Sequence, residues 1–464
     1  MSGLIERLEA ALGEGAVLVG DAAKARAHSR WSRLGVPQAV VRPTCTEEVA
    51  ATLRLAHEAH MPVAPWGGLT GLVDGARADG ALALSLERMS GIEAIDPIGS
   101  TMTVQAGCKL QAACEAAEGQ GLFLPIDLGA RGSATIGGAI STNAGGNRVL
   151  RWGMTRESVL GLEAVLADGR TISSLNSLIK NNAGYDLKHL FIGSEGTLGV
   201  ITRAVLRLRP APLSHNTAYV AVAHFERLPT LLSRLSGALG GSLSAFEVMW
   251  SDCYELLTTP PALGRAPIPY GHAYYVLVET LGADQAEDGA RFERVLAGAL
   301  EEEIIADAVI AKSGAEREAM WAIRDDVSQT ARSGPIFAFD VSLRISDMEA
   351  YVTEVRGALR ARWPDTASLI TFGHMGDGNL HLIAGVGDRS PQTRDAIEHL
   401  VYEPLAKIRG SISAEHGVGL QKRQFLGVSR SPNEIALMRQ LKALLDPHNI
   451  LNPGKVFEVR AADD

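Results

Sequence analysis

At 464 residues and 46% hydrophobic content, the chain is long enough to split into two or three domains with large cores. A net charge of −9 with no cluster of basic residues argues against nucleic-acid binding, which needs concentrated Lys and Arg. Cys45, Cys108, Cys114 and Cys253 form no C-x-x-C pair, so a disulfide framework and a cysteine metal site are both excluded.

The first 30 residues read as polar helix. Glu6, Arg7 and Glu9 interrupt the apolar pattern, so the start is expected to be an amphipathic helix rather than a signal peptide. No apolar run approaches the roughly 18 residues of a membrane span, and a cytoplasmic location is expected. Ala39 to Arg42 is a predicted strand, and Thr44 with Glu47 has capping-box spacing ahead of a helix through Val49, Leu53 and Ala56. A strand over Met61 to Ala64 runs into a glycine turn of Pro65, Trp66, Gly67, Gly68, Leu69, Thr70 and Gly71. Strands at Ala81 to Leu86 and Thr101 to Ala106, and a helix at Lys109 to Gln120, complete an alternating α/β unit over 35–120.

Seven glycines follow between Pro125 and Gly153, interleaved with Ser133, Thr135, Ser141 and Thr142. Glycine allows positive φ and close main-chain approach, and exposed amides with hydroxyls make anion-binding hollows. The stretch therefore reads as the cradle of a large phosphate-bearing cofactor, with a run of tight turns as the alternative. Neither G-x-G-x-x-G nor G-x-x-x-x-G-K-[ST] occurs, which excludes the Rossmann fingerprint and the P-loop. A strand at Gly161 to Ala167, the glycine-broken run Phe191 to Ile201, and a strand at Val205 to Arg209 lead to Pro210 and Pro212, a domain boundary.

From 213 glycine thins. Predicted strands at Ala218 to Phe225, Ala273 to Thr280, Asp307 to Lys312 and Ile336 to Leu343 alternate with helices at Arg227 to Leu239, Ala283 to Leu300, Ala315 to Arg332 and Met348 to Trp363. This reads as an α+β domain, a mainly antiparallel sheet with helices on one face. Arg324 and Ser328, at i and i+4, are expected to share a helix face, with Arg324 placed to grip a carboxylate or else to form a surface salt bridge.

The segment Ser368 to Gly385 has two apolar runs around Gly-Asp-Gly. A two-residue turn at Asp377-Gly378 would set His374 opposite His381, where two imidazoles can share a divalent metal. Glu415 in Ser-Ala-Glu-His-Gly would complete a His2Glu site, leaving His416 beside it as a proton acceptor. The alternative is that these are hydrogen-bonded structural histidines. An amphipathic helix at Pro432 to Leu445 and a tail from Asn449 to Phe457 end the sequence.

Taken together, PWGGLTG, IGGAISTNAGG, NNAGYDLKHLFIGSEGTLGVIT, GHMGDGNLH, SAEHG and ILNPGK resemble the FAD-dependent D-2-hydroxyacid dehydrogenases (D-2-hydroxyglutarate and D-lactate types). These belong to the vanillyl-alcohol oxidase and p-cresol methylhydroxylase flavoproteins, and the likeness spans about residue 35 to 457. The resemblance implies an FAD-binding domain over 1–212, a substrate and metal-binding domain over 213–425, and a C-terminal segment, 426–464, returning to the first. It implies FAD held by Pro65 to Gly71 and by Ser133, Thr135, Gly137, Gly138, Asn143, Gly145 and Gly146. Gly196, Val200 and Ile201 would lie on the adenine side, and Asn452 at the flavin end. No histidine lies between Pro65 and Gly75, so the FAD is expected to be non-covalent. Zinc or a similar metal is implied at His374, His381 and Glu415, with His416 as general base and Arg324 and Ser328 at the substrate. The implied partners are a small D-2-hydroxyacid and an electron acceptor such as an electron-transfer flavoprotein or quinone; a homodimer is one candidate assembly, and the sequence does not give the oligomeric state. Two positions depart from the hydroxyglutarate pattern: Ala338 where a lysine is usual, and Ile383 where asparagine is common. Both make the pocket more apolar. The rival readings are a zinc hydrolase, a non-catalytic flavin or metal module, and an oxidase.

Overall fold

The computed structural model describes residues 2–459, the side chains of Ser2 and Ser333 excepted; the last residues of the expected C-terminal segment, 460–464, lie outside it. The chain divides into two units. The first comprises Met1–Gly146, Gly153–Ala211 and Glu415–Asp464; the second comprises Asn147–Trp152 and Pro212–Ala414. The first unit thus takes in the chain from Glu415 onward, where the resemblance implied a returning segment from 426.

The first unit holds β1 (Val17–Val19), β2 (Ala39–Val41), β3 (Val63–Trp66), β4 (Leu82–Ser85), β5 (Ile92–Asp96), β6 (Thr101–Gln105), β7 (Leu122–Phe123), β8 (Val159–Val165), β9 (Thr171–Ser174), β10 (Val200–Arg207) and β11 (Arg209–Pro210). They form a four-stranded sheet, β1-β2-β4-β3, with parallel pairing of β2 and β3 to β4, an antiparallel five-stranded sheet, β5-β6-β10-β8-β9, and the small pair β7-β11. The helix Thr46–Glu58 buries Val49, Leu53 and Ala56, one stripe at helical spacing, in a core shared by Leu82, Val104, Ala164 and Leu206. Its cap differs from expectation. Cys45 is the N-cap, and the Thr44 amide and hydroxyl donate to Glu48, not Glu47, at 2.6 and 3.0 Å. A capping box does form at Ser431 and Glu434, opening the helix Pro432–Leu445. The tail after that helix joins β3: the Val63 amide donates to Ile450 O and the Asn452 amide to Val63 O, both at 2.7 Å. Lys442, almost fully buried, ties the same segment together by donating to Thr197 O, Leu451 O and Asp446.

The second unit is built on one antiparallel sheet of β12 (Ser214–Val222), β13 (Leu243–Trp250), β14 (Tyr274–Gly282), β15 (Asp307–Ile310), β16 (Ile336–Ser342), β17 (Ser368–Gly373) and β18 (Asn379–Gly385) in the order β15-β12-β14-β13-β17-β18-β16. One face carries Tyr219, Met249, Tyr275, Leu277, Ile370, Phe372 and Ile383, packed against Cys253 and Leu257 of the helix Ser251–Thr258 and Met320 and Ile323 of the helix Gly314–Asp325. The helix Gln285–Glu301 lies on the other face, where Gln285 donates to Asn216 at 3.0 Å. Helices therefore cover both faces, not one. The central strand β13 and the helix Pro391–Ile408 were not in the pattern read from sequence. The expected helix to Arg332 stops at Asp325, because Asp326 takes φ −79° and ψ 48° and its carboxylate accepts from Ser328 and Gln329 in a following 3₁₀ turn. Among the described residues no helix is long and apolar enough to cross a membrane.

Candidate active site

In the first unit the two glycine segments meet. A Cβ on Gly67 would lie 2.6 Å from Thr135 Oγ1, and one on Gly68 would overlap the Ser133 carbonyl. Thr135 caps the short helix Ile136–Thr142, accepting from the Gly138 amide, and Gly137 seats that helix on Ala106, where a Cβ would come within 2.5 Å of the alanine methyl. Asn143 closes the helix at φ 47°, its side chain accepting from the Arg156 amide, and Gly146 turns at φ 110° against Asp127. Gly71, on the rim, faces open space. Leu69 and Thr70 are half-buried beside it, and Gly145 is buried. Not every predicted cofactor residue offers its side chain. Trp66 is buried and donates its indole N–H to Ala76 O, and Val200 and Ile201 lie in the hydrophobic core. Gly196, at φ 70°, packs on Pro65.

Asn452, in the tail paired with β3, bridges Gly75 and Glu195. Its amide nitrogen donates to Gly75 O and Glu195 O at 2.9 and 2.7 Å, while its side-chain oxygen is buried with no partner. A buried acceptor without a donor is costly, and a flavin-type ring N–H would satisfy it. The residues present therefore fit the group. Glu195, which sequence reasoning passed over, holds the loop after His416. Its two oxygens accept from the amides of Val418 and Gly419 at 2.7 and 2.8 Å, and Gly417 is packed against it at φ 82°. Burial pushes the Glu195 carboxyl up, against those two amides and Lys422.

The histidine segment of the second unit departs from the predicted hairpin. β17 ends at Gly373, a 3₁₀ turn spans Met375–Asp377, and Gly378 closes it at φ 90°. The His374 carbonyl accepts from the amides of both Asp377 and Asn379, and Asp377 also accepts from Asn379, so the connection is longer than two residues. The register is shifted by two: Phe372, not His374, faces His381. A shift of two preserves the face, and the imidazoles still meet, with ring centroids 5.4 Å apart. Asp340, fully buried, stands opposite His381 in the ladder and accepts from the Ala414 amide at 2.9 Å. That bond fixes the end of the segment carrying Glu415. One ligand atom each from His374, His381 and Glu415 lie within 4.8 Å of one another. Ligands around tetrahedral zinc are about 3.4 Å apart, so the group is a slightly open version of an N,N,O site, and its donor chemistry fits a zinc-like cation. His416, next along the chain, is 3.9 Å from Glu415.

Arg324 is neither a surface cation nor a partner of Ser328. It is buried and donates from Nε and a terminal nitrogen to Glu247, both at 2.9 Å. Glu247, 1% exposed, also meets His374 Nδ1 at 2.7 Å. Burial pushes this carboxyl up, but His374 and Arg324 outweigh it and hold it below the ordinary range. Ser328 is exposed. Ala338 and Ile383 are directly paired across β16 and β18, one step beyond Asp340 and His381 on the same face.

The model described as "FAD binding domain" matches residues 37–174, and that described as "FAD linked oxidases, C-terminal domain" matches residues 211–456. The chain is 40% identical to a D-2-hydroxyglutarate dehydrogenase of Xanthomonas citri pv. viticola, over 93% of this chain and 92% of that one. It belongs to the FAD-dependent D-2-hydroxyacid dehydrogenases. The mitochondrial D-2-hydroxyglutarate dehydrogenase of Bos taurus is also 40% identical, over 93% of this chain and 79% of its own. In fold the dehydrogenase is similar to p-cresol methylhydroxylase, with a TM-score of 0.79, 17% identity and coverage of 100% and 98%. The dehydrogenase is thus an oxidoreductase with an FAD-binding domain, as the sequence motifs implied, and the hydrolase reading is set aside.

Proposed function

We propose that the enzyme oxidises a D-2-hydroxyacid to the 2-oxoacid with the help of a divalent cation, zinc or similar, held by His374, His381 and Glu415. The observation that carries this is the grouping of those three side chains, all from the stretch matched by the oxidase C-terminal model. When bound, the cation supplies a Lewis acid for the α-hydroxyl and α-carboxylate, and FAD, held non-covalently, supplies N5 as the acceptor of the Cα hydride. His416 takes the hydroxyl proton, so that the O–H electron pair becomes the second C–O bond as the Cα–H pair departs. Asp340, through the Ala414 amide, and Glu195, through Val418 and Gly419, brace the two ends of the segment bearing Glu415 and His416. The two electrons then pass to an acceptor such as an electron-transfer flavoprotein or a quinone.

The relatives' printed substrate, D-2-hydroxyglutarate, supports this reaction class. The sheet face favours a different side chain. Beyond His381 it carries Ile383, Ala338, Ile336 and Ile370, and Arg324 is committed to Glu247. An apolar D-2-hydroxyacid such as D-2-hydroxyisocaproate suits that face better than a second carboxylate. Anaerobic mixing with a D-2-hydroxyacid should bleach the flavin, and the L-enantiomer should not; absence of bleaching across a substrate panel would sink the reaction. His416→Asn should lower kcat by about 10²–10⁴ while flavin and metal contents stay unchanged.

A further inference from the structure

We propose that Glu247 is a positioning residue that fixes the tautomer and orientation of His374 and so presents Nε2 of that ring to the cation. The inference rests on the metal reading above and adds a residue that neither motif nor family match singled out.

The argument starts from the register. β13 pairs with β17 through Val248↔Gly373 and Met249↔Phe372. One step further sets Glu247 opposite His374, just where the backbone leaves the strand with φ −81° and ψ 69°. The imidazole is therefore not oriented by the ladder, and something else must hold it. Glu247 does so with Oε1, 2.7 Å from Nδ1, while Oε2 takes Arg324. A carboxylate paired with a guanidinium is ionised and only accepts hydrogen bonds, so Nδ1 carries a proton, and in the neutral ring that a cation requires the lone pair is on Nε2. Arg324 is itself fixed, its guanidinium 4.9 Å from the centroid of Phe372, whose ring lies 5.0 Å from that of His381. The buried network thus holds His374 directly and reaches the His381 ring only through packing on Phe372. Stability alone does not explain it, since a buried ion pair is often no better than apolar side chains of the same volume. Carboxylates behind metal-holding histidines set ring direction and basicity, and their loss typically weakens metal binding about 10–100-fold.

The test measures Zn²⁺ affinity of the flavin-loaded enzyme by competition with a chromogenic chelator. Parent, Glu247→Gln and, as a control for any buried carboxylate in this sheet, Glu279→Gln are compared. Glu279, 2% exposed, is held by Arg148 and Trp321. Glu247→Gln should bind Zn²⁺ about 10–100-fold more weakly, and Glu279→Gln should stay within twofold of the parent. Nitrogen NMR of labelled histidine should show His374 protonated at Nδ1 in the parent. If Glu247→Gln fails to fold, Glu247→Gln with Arg324→Gln removes both charges at similar volume and should show the same weakening. Equal affinity in parent and Glu247 variants, or an Nε2–H tautomer at His374, overturns the proposal and leaves the metal site standing. A parent that binds no Zn²⁺ overturns the metal reading itself, and this inference with it.

Discussion

The two units build their sites in opposite ways. In the first, the cradle is main chain: Gly67 and Gly68 close on Ser133 and Thr135, Gly137 closes on Ala106, and the side chains nearby are mostly spent on structure. In the second, the site is all side chain. Glu247, His381 and Asp340 project from one face of a sheet whose backbone is occupied by its own ladder, His374 follows the end of β17, and Arg324 reaches Glu247 from the helix Gly314–Asp325. The first design is intolerant of added volume and indifferent to charge. The second is intolerant of lost charge and tolerant of volume at its apolar edge. Substitutions of each kind should separate the two.

The largest effect is expected in the second unit. Arg324→Met leaves Glu247 buried with half its partners gone, and breaking such a pair costs about 3–5 kcal/mol. Denaturant unfolding should show that loss with flavin content intact in the folded fraction; a loss below about 1 kcal/mol would mean that Glu247 is solvated and the contrast between the units is false. Gly68→Ala, in the first unit, adds one methyl against a carbonyl. Overpacking costs about 1–3 kcal/mol, and here the neighbour is backbone and cannot rotate away, so flavin should be lost on gel filtration. Ala338→Lys tests the apolar edge. It adds a cation one step from His381, and the ratio of kcat/KM for D-2-hydroxyglutarate to that for D-2-hydroxyisocaproate should rise about tenfold or more, equivalent to ~1.4 kcal/mol. An unchanged ratio would place the substrate side chain elsewhere.

The first unit was the more legible because a cluster of glycines is a local signal. A stretch with seven glycines in 125–153 announces close main-chain approach wherever it folds. The histidine pair was legible for a subtler reason. Asp377-Gly378 was read as a two-residue turn, and the actual 3₁₀ turn shifts the register by two, yet strand periodicity is also two, so the face was right although the pairing was not. Glu247 was not legible. It sits in Leu243–Trp250, an uninterrupted buried strand with no alternation to mark it, and its partners lie at 324 and 374. A single charged residue inside a wholly buried strand was the available signal, since a buried carboxylate demands a partner. The error at Ser328 came from extending the 3.6-residue period through Asp326, whose side chain competes for the backbone geometry around it.

That error supplies the smallest prediction. On a continuous helix Ser328 would share the face of Arg324, and its loss would be felt at the substrate. In the structure it is exposed, outside the helix, and its hydroxyl donates to Asp326 at 2.6 Å. Ser328→Ala should therefore change stability by no more than about 0.5 kcal/mol and leave KM within twofold. A several-fold rise in KM with kcat unchanged would mean that the 3₁₀ segment rewinds toward the substrate when it binds. The charge-built region would then be the adaptable one, and the glycine-built region alone would be preformed.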